Sequence, residues 1–205
     1  MKMERQYYFK KYCNGKNVLN VGCCSSKPLE EMGVGCWLQR NLERLATTVV
    51  GIDNNKELIV ECQKFANGKL VFADAQHFDL KQQFDVIVAG ELIEHLSNLD
   101  GFLGCVSAHL KDDGVFILTT ANPFKLSNVL NGLLGRELPV QEDHVVYLSV
   151  EILRNLLSKY GFKIVEYSCV TERTLKQPLG NKLMRFVTGL VEGYGELINV
   201  VCVKQ

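Results

Sequence analysis

Val18-Leu-Asn-Val-Gly-Cys-Cys-Ser-Ser26 reads as an apolar strand that stops at a glycine, and Val49-Val-Gly-Ile-Asp53 as a second strand that stops at a carboxylate. Consecutive apolar positions leave neither face for water, which is the pattern of strands buried inside a parallel sheet. Working outward, the same reading gives strands at Asn17–Val21, Thr47–Ile52, Lys69–Ala73, Phe84–Ala89, Gly114–Thr120, Phe162–Ser168 and Glu196–Val203. Helical patterns fill the gaps. Asn54 or Asn55 caps one that presents Leu58, Ile59, Cys62 and Phe65 and stops near Gly68. A second runs from Ser97 or Asn98 to Leu110, with Phe102, Leu103, Val106 and Leu110 as its stripe. Ser149 caps a third that carries Glu151 in its first turn, buries Ile152, Leu153, Leu156, Leu157 and Tyr160, and ends at Gly161. Strand–helix alternation of this kind predicts a doubly wound α/β sheet. The alternation breaks between the last two strands, where Thr171–Gly195 has room for one helix around Lys182–Leu190.

The chain has 205 residues, with 23 Lys+Arg against 23 Asp+Glu and a formal net charge of zero. That length suits one domain over residues 1–205, and no repeat or composition shift marks a second. A hydrophobic share of 47% and a charged share of 22% exclude a disordered or fibrous chain. Zero net charge argues against holding nucleic acid by broad phosphate neutralisation. No apolar run reaches the ~18 residues of a membrane-spanning helix, and Met1-Lys-Met-Glu-Arg-Gln lacks the apolar stretch of a signal peptide. The expectation is a cytoplasmic protein. The eight cysteines form no C-x-x-C pair and no zinc-type Cys/His spacing, so they read as reduced thiols, most inside apolar segments.

In an open α/β sheet, ligands bind beyond the carboxyl ends of the strands, beside the first one. Gly22 lets the backbone turn there without a side chain in the way. Asp53, followed by Asn54, can accept both hydroxyls of a ribose. Leu70-Val-Phe-Ala-Asp-Ala75 is another strand ending in an acid, and Asp74 is placed to accept from an adenine amino group. Phe84-Asp-Val-Ile-Val-Ala-Gly-Glu-Leu-Ile-Glu-His95 breaks into an acidic loop, and Leu110-Lys-Asp-Asp-Gly114 reads as a helix end and tight turn before a buried strand.

Taken in order over Asn17–Val170, these segments resemble the class I S-adenosylmethionine-dependent methyltransferases. The resemblance implies a mostly parallel seven-stranded sheet with an antiparallel last strand, and S-adenosylmethionine as cofactor. It places cofactor contacts on Asn20, Gly22, Cys23, Asp53, Asn54, Asp74, Ala75, Gly90 and Glu91. Glu94-His95-Leu96 and Asp143-His144 are most similar to the small-molecule O-methyltransferases typified by ubiquinone biosynthesis. Three features depart from the family pattern. Asn20 stands for its usual acid. Cys24 and Ser26 stand for its second and third glycines. Asp53 also lies farther from Gly22 than the ~20 residues typical of dinucleotide folds, the excess falling on Glu31–Asn41 as a lid or a surface elaboration.

Methyl transfer to a hydroxyl needs alignment and a base. His95, after the fourth strand, is the first candidate, because histidine titrates near neutrality, and His144 is the second. His109 reads as a helix C-terminal residue and His77 as solvated. Glu91, Glu94, His95 and His144 also have a spacing similar to the metal site of small-RNA 2′-O-methyltransferases, so a divalent ion is an option, though not the expectation. Tyr7, Tyr8, Phe9 and Tyr12 suit an amphipathic helix on the sheet or an aromatic lid. Asn122-Pro-Phe124 and Gly132–Gln141 are expected to shape an acceptor pocket. The acceptor expected is a small molecule; a methyltransferase-like binding protein without turnover and an RNA 2′-O-methyltransferase are the alternatives.

Overall fold

A computed structural model describes residues 5–25, 27–33, 37–170 and 193–205. Ser26, the Val34–Cys36 stretch and the expected Lys182–Leu190 helix lie outside the described residues. The elements run α1 (Arg5–Cys13), β1 (Asn17–Val21), α2 (Pro28–Gly33), α3 (Leu38–Glu43), β2 (Thr48–Asp53), α4 (Lys56–Gln63), β3 (Lys69–Phe72) and β4 (Phe84–Gly90). A single 3₁₀ turn at Ile93–His95 follows, then α5 (Leu99–His109), β5 (Leu110–Ala121), α6 (Leu126–Leu133), α7 (Val150–Lys159), β6 (Phe162–Val170) and β7 (Leu197–Lys204).

The strands form one seven-stranded sheet in the order β3-β2-β1-β4-β5-β7-β6. Pairings from β3 through β5 are parallel, and β7 is antiparallel to both β5 and β6. Residues 197–202 of β7 are all buried, so the reversed strand is a central one. Alternate residues of one strand serve opposite faces, as the pleat requires. Leu19 and Ile87 pack with Phe102, Leu103 and Val106 of α5, whereas Val18 and Val88 pack with Phe9 and Cys13 of α1 and Leu42 of α3. Tyr8 and Phe9 are both buried, which makes α1 a packed helix.

The caps resolve two choices. Asn55, not Asn54, accepts from Leu58 N at 2.9 Å, and Asn98, not Ser97, accepts from Gly101 N at 2.9 Å. Each such cap is worth about 1 kcal/mol. Ser149 caps α7 as expected, but Ile152 is exposed, because only Leu153 and Leu157 of the expected stripe are fully covered. Leu110–Gly114 is not a tight turn. It is the start of a twelve-residue β5, with Leu110 paired to Phe84 across an irregular register. Among the described residues of the excess before Asp53, Trp37 and Gln39 are buried, and α3 lies on the crossover between β1 and β2.

Candidate active site

Val21 of β1 pairs with Ala89 of β4, so the turns that leave these strands open on the same edge of the sheet. In the first turn Gly22 has φ +75°, a conformation that costs a side chain free energy but not glycine. Gly22 N and Cys23 N both donate to Ile52 O, at 2.9 and 3.0 Å. Cys24 N donates to Asp53 Oδ2 and Asn55 N to Asp53 Oδ1, each at 3.0 Å. The carboxylate therefore ties the β1 turn to the start of α4, and its remaining lone pairs can accept from a ligand.

Gly22, Asp53, Asn54, Asp74 and Ala75 come together around one cavity of about 50 Å³, with Ile52, Ala73, Leu92 and Leu96 completing the lining. Leu92 and Leu96 are additions that the sequence did not single out. They are ordinary apolar residues in a loop, and only the way the chain folds back from β4 brings them to the cavity. A Cβ on Gly22 would sit 3.2 Å from Leu92 Cδ1. A larger cavity, about 640 Å³, runs along α5 past Gln76, Asp79 and His109 and includes none of the strand-end acids. His109, on that side, is a packed residue: Nε2 accepts from Leu80 N at 2.9 Å and Nδ1 lies 2.8 Å from Cys105 O. His77 is exposed.

Four expected cofactor residues lie elsewhere. Asn20 falls on the Val18 face and is fully buried; its Nδ2 donates to Gln39 Oε1 at 3.0 Å, and its Oδ1 has no hydrogen-bond partner among the described residues. Gln39 Nε2 passes the contact to Glu43 Oε1 at 2.9 Å. Glu43 also accepts from Asn67 N, Gly68 N and Arg40 Nη1. Burial pushes the Glu43 carboxyl up, but these donors outweigh it and hold the group below its ordinary range. Cys23 packs against Gly51, and its carbonyl accepts from Trp37 Nε1 at 2.9 Å. Gly90 faces Leu38, where a Cβ would meet Cδ2 at 2.8 Å. Glu91 adopts φ +51°, donates its N–H to Thr119 O at 2.8 Å, and pairs with Arg5 Nη1 at 2.8 Å. α1 is thereby tied to the turn after β4.

The second turn gathers Glu94, His95 and His144, whose ligand atoms all lie within 4.8 Å of one another; Glu91 is not in this group. Glu94 is buried and accepts from Thr120 Oγ1 at 2.9 Å and Ala121 N at 3.1 Å. Its carbonyl accepts from Val145 N at 2.8 Å, which brings the distant His144 segment alongside. His95 Nδ1 lies 3.1 Å from Asp143 O and 3.3 Å from Asp143 Oδ2. With the proton on Nδ1 donated to Asp143, Nε2 is left as the basic nitrogen. The two imidazoles meet edge-on at 4.8 Å, and Tyr147 stacks edge-on against His144 at 5.8 Å. Asn122 Nδ2 donates to Gly193 O and Gly195 O, both at 2.7 Å, and holds the end of β5 to the lead-in of β7. Residues 132–141 are exposed.

Acids at the tips of neighbouring parallel strands, a glycine turn beside them and a reversed strand within the sheet define the fold of the class I S-adenosylmethionine-dependent methyltransferases. The chain belongs to the methyltransferase-domain family, which matches residues 2–167. It is 27% identical over 113 residues to a ubiquinone biosynthesis O-methyltransferase of Rhodopseudomonas palustris, covering 52% of this chain and 45% of that protein. It is 28% identical over 166 residues to the mitochondrial ubiquinone biosynthesis O-methyltransferase of Bos taurus, covering 74% of this chain and 42% of that protein. The chain thus spans less than half the length of the curated relatives it matches. Among solved structures, an S-adenosylmethionine-dependent methyltransferase from Mesorhizobium loti aligns with a TM-score of 0.63 at 15% identity, over 96% of this chain and 94% of that one. Magnesium protoporphyrin IX methyltransferase from Synechocystis, with bound SAH, aligns at 0.58 and 15%, over 94% and 75%.

The lining suits the adenosine part of the cofactor: two carboxylates for hydroxyl and amino donors, and an apolar floor of Ile52, Ala73, Leu92 and Leu96. The space, about 50 Å³, is the size of a site for water rather than for a whole nucleoside.

Proposed function

We propose that this chain methylates a hydroxyl oxygen of a small molecule. The carrying observation is the His95–His144 pair beside buried Glu94, one strand away from the Gly22 turn. Bound S-adenosylmethionine supplies a methyl on a sulfonium, whose sulfur leaves with the bonding pair as a neutral thioether. His95, oriented through Nδ1 by Asp143, takes the hydroxyl proton at Nε2. Asp53 and Asp74 hold the nucleoside, and Gly22 leaves room for it. The curated relatives named as O-methyltransferases support oxygen as the acceptor atom, and zero net charge supports a small molecule over RNA. Radiolabelled methyl transfer to a panel of phenols, sugars and carboxylic acids tests this reading. Label is expected on a hydroxyl acceptor, and label confined to nitrogen or carbon acceptors would overturn it.

The clustering of Glu94, His95 and His144 supports a second reading, in which these three hold a divalent ion that polarises the acceptor hydroxyl. Each Glu94 oxygen accepts one hydrogen bond and keeps a lone pair for an ion. Turnover that survives a chelator supports the base; loss restored by added Mg²⁺ or Mn²⁺ supports the ion.

A further inference from the structure

The β1 turn holds two adjacent thiols where the class pattern has glycine-rich backbone, and cofactor binding has no evident use for either sulfur. Cys23 Sγ and Cys24 Sγ are 3.9 Å apart. In a tetrahedral site with metal–sulfur bonds of ~2.3 Å, two sulfurs are separated by about 3.8 Å. A carboxylate oxygen of Asp53 completes a group of three ligand atoms within 4.8 Å of one another. The thiol of Cys62, on α4, donates to Ser25 O at 3.5 Å and lies against the Cys24 thiol. The backbone on either side is pinned. Cys23 N is bonded to Ile52 O, Cys23 O to Trp37 Nε1, and Cys24 N to Asp53 Oδ2. Gly51 of β2 makes the space that Cys23 fills, since a Cβ there would stand 2.7 Å from Cys23 Sγ. The spacing is therefore set by the sheet and does not have to be organised by an incoming ion.

We propose that Cys23, Cys24 and Asp53, with Cys62 beside them, bind a thiophilic divalent cation of the zinc and cadmium type, and that filling this site excludes the cofactor. The exclusion rests on Asp53 serving the ribose in the proposed function: a carboxylate that coordinates a cation between two thiolates is withdrawn from the nucleoside. Binding converts the two thiols to thiolates and releases two protons to solvent, with no change of oxidation state. A soft, sulfur-rich site selects this ion class over Mg²⁺, which demands oxygen ligands.

The test is a Cd²⁺ titration of the reduced, metal-free chain, followed by thiolate-to-cadmium charge-transfer absorbance. An ion at Glu94, His95 and His144 has no sulfur ligand and does not register. Expected are saturation at one ion per chain, a loss of affinity of about tenfold or more in Cys24→Ser, and no change in Cys105→Ser. Cys24→Ala, with circular dichroism on each variant, separates lost ligation from lost folding. Calorimetry with S-adenosylhomocysteine should show binding to the metal-free chain, weakened at least about tenfold once Cd²⁺ is bound. No band, a band unchanged in folded Cys24 variants, or equal S-adenosylhomocysteine affinity with and without Cd²⁺ would overturn the proposal. Failure of S-adenosylhomocysteine to bind the metal-free chain would instead remove the role given to Asp53, while the band still reports the metal site.

Discussion

The turns after β1 and β4 leave the same edge of the sheet on adjacent strands, yet they are held by different kinds of contact. The β1 turn is held by its neighbour in the sheet: two backbone donors reach Ile52 O, and one reaches the carboxylate at the tip of β2. The β4 turn has one backbone bond to its neighbouring strand, Glu91 N to Thr119 O, and is otherwise held by side chains and by chain far away in sequence. Glu94 grips the end of β5, His95 meets Asp143, and Glu91 in its left-handed conformation pairs with Arg5 of α1. The first turn should report in binding and the second in turnover.

His95→Gln makes the sharpest test. It is expected to lower kcat by roughly 10²–10⁴-fold while S-adenosylhomocysteine affinity stays unchanged by calorimetry. A parallel loss of binding would mean that the two turns are one unit. Gly22→Val comes next. A β-branched residue at φ +75° is strained and sits against Leu92, so cofactor affinity should fall by about 3 kcal/mol or more, roughly 10²-fold. Near-normal affinity would show that the cofactor approaches from another side. Asp53→Ala removes acceptors for Cys24 N and Asn55 N as well as for the ribose, at an expected cost of about 1–3 kcal/mol in cofactor binding. An unchanged dissociation constant would place the ribose elsewhere.

Glu43→Gln gives the smallest effect and reaches the β1 turn from behind, through Gln39 and Asn20. Because the folded state holds Glu43 below its ordinary range, its contribution is present above the unfolded carboxylate pKa and is lost as pH falls through the folded value. Denaturant unfolding should find the variant less stable by about 1–2 kcal/mol at neutral pH. The gap should close on acidification. Two curves that stay parallel into acid would remove Glu43 from the support of β1.

Legibility along the chain follows the same division. Gly22, Asp53, Asn54, Asp74 and Ala75 were readable because each ends an apolar strand or directly follows its end, and strand ends of a parallel sheet converge on one edge. Asn20, Cys23, Gly90 and Glu91 sit within the same segments but do not line that cavity, for reasons no local pattern carries. The pleat turns Asn20 toward α3, Trp37 and Gly51 hold Cys23, Leu38 covers Gly90, and Arg5 takes Glu91. Leu92 and Leu96 were invisible for the opposite reason, since an apolar loop residue carries no chemistry until its neighbours are known.

By itself the sequence determined the seven strands, the two-sided core and the acids at the strand tips, because burial on both faces and a turn at each strand end are local demands on residue type. The place of β7 between β5 and β6, the meeting of His95 with Asp143 and His144, and the 3.9 Å spacing of the Cys23 and Cys24 thiols were decided only by tertiary structure. Each depends on chain segments brought together by packing, and the free energy that brings them together belongs to the whole core rather than to any one segment.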